Sequence, residues 1–113
     1  MANKQKADIF LSIHLNSFKN SRVSGSQSFY SKHRDKKLAV LIQKQISHDF
    51  KTKNHGVRRS QFFVLRHTKM PSVLLEPMFM TNASEKKQLL KASYRSRLAF
   101  SIHQGIKNYY KDS

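Results

Sequence analysis

The sequence predicts an α/β layer in which at least some of the strands run parallel. Three observations carry that expectation. Residues 8–16 alternate with period two, and a compact apolar run, Val73-Leu74-Leu75, is bracketed by Pro71 and Pro77. Two long stripes have helical spacing, one from Leu38 to Phe50 and one from Tyr94 to Tyr109. At 113 residues the chain has room for a single domain, 1–113, and shows no internal repeat or linker.

In the first segment Ile9, Leu11, Ile13 and Leu15 share one face and Asp8, Phe10, Ser12, His14 and Asn16 the other. The spacing predicts a strand with one thoroughly buried face and a second face that turns polar toward its C-terminal end. Residues 17–25, polar and ending in Gly25, read as a loop, and 27–31 around Phe29 and Tyr30 as a short second strand. Asp35 is placed to cap a helix whose apolar positions are Leu38, Ala39, Leu41, Ile42, Ile46 and Phe50. Lys51 to Gly56 should end it, with cations near the negative end of the helix dipole. Phe62 to His67 is a further strand candidate, and 73–75 an interior strand. Asn82 and Glu85 form a capping-box pattern for a short helix through Leu90. Ser93 is expected to cap a last helix along Tyr94, Leu98, Ile102, Ile106 and Tyr109.

Lysine and arginine number 22 against 6 aspartates and glutamates, a net charge of +16, so polyanions are the expected partners. Nucleic acid, an anionic membrane surface and the phosphate polymers of a bacterial wall all qualify, and a merely solvated basic face is the plain alternative. No nucleic-acid recognition signature accompanies the charge. With no cysteine there is no disulfide scaffold, thiolate zinc site or cysteine nucleophile. No apolar run approaches the about 20 residues that span a bilayer. The N-terminal segment reads as a strand rather than a leader, so an export signal, if the protein works outside the cell, is expected elsewhere.

Two polar residues stand where strands usually carry apolar ones. His14 lies near the C-terminal end of the first strand, and Glu76, one of two glutamates, ends the apolar strand. In open α/β sheets ligands gather beyond the carboxyl ends of strands. If these two strands are parallel neighbours, an imidazole and a carboxylate emerge together, able to bind a metal or to share proton transfer. The plainer alternatives are a structural histidine with its hydrogen bonds satisfied and a glutamate in a salt bridge to one of the many cations. His33, His48, His55, His67 and His103 show no metal-ligand spacing and read as surface or loop residues.

Lys6-Ala-Asp-Ile-Phe-Leu-Ser-Ile-His-Leu-Asn16 resembles a segment of the zinc-dependent N-acetylmuramoyl-L-alanine amidases, bacterial peptidoglycan hydrolases. The likeness continues in order through Gly25, Leu38-Ala39, Gly56-Val57-Arg58, Phe63-Val-Leu-Arg66, Met70-Pro-Ser-Val-Leu-Leu-Glu76, Phe79-Met-Thr-Asn82, Glu85 and Gly105-Ile106. It implies a three-layer, phosphorylase/hydrolase-like mixed sheet flanked by helices, with the N-terminal strands and helix of that fold missing from this chain. It implies further that His14 is a zinc ligand and Glu76 the catalytic glutamate, with Asn16 and Arg66 supporting the ligands or touching substrate. The bond cut would be the amide between N-acetylmuramic acid and the L-alanine of the stem peptide.

Two departures accompany the resemblance. The family's other zinc ligands, an earlier His and a Glu, fall upstream of the matched region, so the site for one zinc ion is incomplete here. Where the family has Glu-x-Gly-Phe this chain reads Glu76-Pro77-Met78-Phe79, which removes an easy positive-φ position and predicts a different path for that loop. The chain therefore reads as the C-terminal part of a longer amidase, expected to bind zinc weakly and to show little or no hydrolysis alone. Its edge strand or its Ile9/Leu11/Ile13 face is expected to be exposed. Expected partners are peptidoglycan, anionic wall polymers and an activator protein, in the extracellular cell-wall space, with nucleic acid disfavoured and any membrane anchor outside this chain. The alternative is a truncated or degenerate amidase fold that binds wall polymer without catalysis.

Overall fold

The computed structural model describes residues 2–16, 20 and 22–112. Among them β1 (Phe10–Ile13), β2 (Ser26–Tyr30), β3 (Asn54–Arg59) and β4 (Ser72–Glu76) form one mixed sheet in the order β1-β4-β2-β3. β1 is parallel to β4 and β2 to β3, while β2 and β4 are antiparallel. The helices are α1 (Lys36–Phe50), α2 (Phe63–His67), α3 (Ala83–Leu89) and α4 (Ala92–Lys111).

β4 is central because it is apolar on both faces: Val73, Leu74 and Leu75 are all buried. Alternation sends Val73 and Leu75 to the α1 side, where they join Leu38, Ala39, Ile42, Ile46, Leu98 and Ile102. α4 packs along α1 at Gly105, whose added Cβ would lie 2.9 Å from the Ile42 Cα. The buried Gln43 ties α1 to the sheet, accepting from the Ser28 hydroxyl at 2.7 Å and donating to the Ser26 carbonyl at 3.0 Å and to Asn54 Oδ1 at 2.9 Å. Ser72, Leu74 and Glu76 face the opposite side. There α2 covers the Ser72 end: the buried Leu65 offers its carbonyl to the Ser72 hydroxyl, and Phe62 meets Phe29 edge-on at 5.7 Å.

Several expectations are corrected. The thoroughly buried face of the first strand is buried only in part. Ile9 and Leu11 pack on the core, but Ile13 is 51% and Leu15 42% exposed, because β1 pairs only with β4 and lies at the sheet edge. The expected exposed edge is thereby observed. The segment 62–67 is not a strand but the helical turn α2. A short apolar run does not separate the two by periodicity, and burying Leu65 alone leaves Phe63 and Val64 outward. The third strand instead lies at 54–59, in polar sequence, because backbone pairing to β2 suffices there; Arg58 and Arg59 are exposed on this edge.

Asp35 precedes α1 but does not cap it. Its buried carboxylate accepts from the Ser72 N–H at 3.1 Å and meets Lys32 Nζ at 3.1 Å. Asn82 does cap α3, accepting from the Glu85 N–H at 3.0 Å, while the Glu85 side chain goes elsewhere. Ser93 lies inside α4, whose flanking residue is Lys91. The loop expected at 17–25 falls in part outside the described residues.

Candidate active site

In the parallel β1–β4 pair Ser12 lies beside Leu74 and Ile13 beside Leu75. One step further the His14 N–H donates to the Leu75 carbonyl at 2.9 Å. Register partners share a face and faces alternate, so His14 and Glu76 leave the same face, side by side, at the C-terminal ends of two parallel strands. His14 is exposed and Glu76 half-buried. Burial pushes the Glu76 carboxyl above its ordinary range, and the electrostatic influence of His14 pulls it back down. Among the described residues no lysine or arginine forms a salt bridge with Glu76.

A third residue joins the pair. Gln27 is directly opposite Glu76 in the antiparallel β2–β4 ladder, half-buried on the same face. Sequence reasoning missed it, because nothing in the local pattern of β2 says that its neighbour will be β4. Asn16 is brought to the same rim through its backbone: its N–H donates to the Met78 carbonyl at 2.9 Å and its carbonyl accepts from the Met80 N–H at 2.7 Å. Arg66 sits exposed on α2, which packs at the Ser72 end of β4.

The turn after Glu76 is fastened from below. The Met78 side chain is fully buried in the core and its φ is not positive, so an ordinary L-residue conformation serves here. Glu85 is buried, and its carboxylate accepts from the Phe79 N–H at 2.9 Å and from the Gly25 N–H at 3.1 and 3.2 Å. It thereby clasps the turn after β4 to the turn before β2, and no water is needed to satisfy it. His55, expected as a surface or loop residue, is instead half-buried in β3 and lies on this rim with its ring 5.7 Å from that of Phe79.

A zinc ion needs about three protein donors plus water. No group of three or more His, Cys, Asp or Glu side chains occurs among the described residues. The imidazole and carboxylate fit such an ion in kind but fall short in number.

A sequence profile of the N-acetylmuramoyl-L-alanine amidases matches residues 1–108. This chain belongs to that family. LytC, an N-acetylmuramoyl-L-alanine amidase of Bacillus subtilis, is 39% identical over 114 residues, covering 97% of this chain and 23% of LytC. A crystal structure of an N-acetylmuramoyl-L-alanine amidase from Clostridium difficile superimposes with a TM-score of 0.91 at 34% identity, over 97% of this chain and 61% of that one. The CwlD amidase of Clostridioides difficile, solved in complex with the GerS lipoprotein, gives 0.92 at 34% identity, over 98% and 58%. The chain thus spans about a quarter of LytC and about three fifths of these solved amidases. Family membership accounts for the mixed sheet flanked by helices.

Proposed function

We propose that the protein is a peptidoglycan hydrolase that cleaves the amide joining the lactyl group of N-acetylmuramic acid to the L-alanine of the stem peptide. The observation that carries the reading is the His14–Glu76 pair on one face at the carboxyl ends of parallel strands. The family to which the chain belongs supports it.

Zinc is the resident ion of this proposal, with His14 as one ligand and the remaining donors from outside the described residues. When bound, it would polarise the scissile carbonyl and acidify a water molecule. The work of this chain is proton handling and positioning. Glu76 takes the proton of the attacking water and returns it to the departing alanine amine. A carboxyl lifted above its ordinary range is closer to the working pH and better suited to both steps. Gln27 places a neutral carboxamide beside it, able to orient a substrate carbonyl without adding charge. The Asn16 backbone holds the turn after Glu76 against β1, so the acid and the imidazole keep their spacing.

The proposed location is the extracellular cell wall, where a net charge of +16 draws the protein to anionic polymers. A protein partner belongs to the same proposal, as CwlD is solved with a lipoprotein. Glu76→Ala tests the reading. Assayed in a protein that supplies the remaining zinc ligands, stem-peptide release from purified walls should fall by about 10²–10⁴-fold while co-sedimentation with walls is retained. Undiminished release would overturn the hydrolase assignment. Wall binding by a parent protein that never releases peptide would favour the non-catalytic alternative.

A further inference from the structure

On the same rim lies a cavity of about 250 Å³ lined by Asn20, Arg22, Val23, Ser24, Lys53 and His55. The turns entering β2 and β3 form it, and their spacing is fixed by backbone contacts. Gly25, at φ +109, passes so close to β3 that a Cβ would lie 2.3 Å from the Lys53 carbonyl oxygen. The Ser26 N–H donates to that same oxygen at 3.0 Å. His55 Nε2 lies 2.6 Å from the Ser24 carbonyl, which requires the proton on that nitrogen and fixes the ring. Glu85 holds Gly25 from beneath, and its two oxygens accept from the Gly25 and Phe79 N–H groups.

Two exposed cations, Arg22 and Lys53, line this pocket from separate turns, and neither forms a salt bridge among the described residues. The turns that form the pocket connect to the Glu76 rim along two walls. Ser24 is three residues before Gln27 in the chain, at most about 10 Å of backbone. Phe79, three residues after Glu76, contacts the His55 ring.

We propose that this pocket is a subsite for a carboxylate of the stem peptide, recognised by Arg22 and Lys53 two to three residues beyond the scissile amide. The inference rests on the amidase reading above. An extended peptide covers about 3.3–3.6 Å per residue, so a carboxylate carried at that distance from the cleaved bond arrives at the pocket. Arginine supplies the planar fork that suits a carboxylate, and lysine the second charge.

The test is a binding titration in the Glu76→Gln background, so that no ligand is consumed. The probes are N-acetylmuramoyl-L-alanyl-γ-D-glutamyl-L-lysine with free carboxylates, the same molecule with its carboxylates amidated, and a glycerol phosphate oligomer. The free acid should bind about tenfold more tightly than the amidated form, and Arg22→Gln/Lys53→Gln should remove that difference. Lys44→Gln/Lys107→Gln, an equal loss of charge on α1 and α4, should leave it in place. Equal affinity for free and amidated peptide, or equal weakening of both by the Arg22/Lys53 substitutions, overturns the subsite. So does a loss confined to the glycerol phosphate probe, which would assign the pocket to wall polymer. Stem-peptide release is scored separately, with Glu76 intact, in a protein that supplies the remaining zinc ligands. Hydrolysis without carboxylate discrimination refutes the subsite alone, and discrimination without hydrolysis refutes the amidase reading alone.

Discussion

Glu76 is held half-buried between His14 and Gln27, and this placement costs the fold something. Its carboxyl is lifted above the ordinary value, so the folded chain binds that proton more tightly than the unfolded chain does. The associated stability is fully present below the unfolded-state value and is lost as pH rises through the folded one. Glu76→Gln, a mimic of the protonated acid, should therefore melt at a higher temperature than the parent near about pH 7. The gap should close toward about pH 4 and below. Thermal melts across that range check it, and a lower melting temperature at neutral pH would mean that the ionised carboxylate is a net stabiliser. Glu85 is a buried acid whose oxygens accept N–H groups from two turns, and it serves the framework rather than chemistry.

At the scale of elements, the α1–α4 contact depends on one small residue. A Cβ on Gly105 would sit 2.9 Å from the Ile42 Cα and 3.3 Å from the Ile42 backbone nitrogen, atoms that cannot rotate away. Gly105→Ala should force the helices apart and cost about 1–3 kcal/mol despite alanine's better helix propensity. Chemical denaturation measures this directly; an unchanged or raised midpoint would show that α4 shifts without loss. The apolar positions of both helices could be read from their spacing, since Leu38, Ile42, Ile46, Leu98 and Ile102 all reach the core. The elements that could not be read are short or polar. α2 buries only Leu65, and β3 is a strand because β2 lies beside it.

For the whole molecule, charge and edge oppose each other. A net charge of +16 keeps copies apart, while β1 sits at the sheet edge with Ile13 and Leu15 exposed. Salt shortens the range of the repulsion to about 10 Å at 0.1 M and leaves apolar attraction intact. The 113-residue chain should therefore self-associate more as salt is raised, and Ile13→Lys should suppress this. Sedimentation velocity at low and high salt decides the matter; association equal in the parent and Ile13→Lys would place the contact elsewhere.

The sequence by itself determined the α/β class, the interior strand at 73–75, the two long helices and the pair of candidate residues. Each of these is written locally, as a period, a run or a misplaced polar residue. Tertiary structure alone decided that β1 and β4 are parallel neighbours, that Gln27 faces Glu76, that Asp35 and Glu85 bind distant backbone N–H groups, and that Arg22 and Lys53 share a pocket. These depend on pairing between segments 30 to 60 or so residues apart, which is set by how the whole core closes and not by any local pattern.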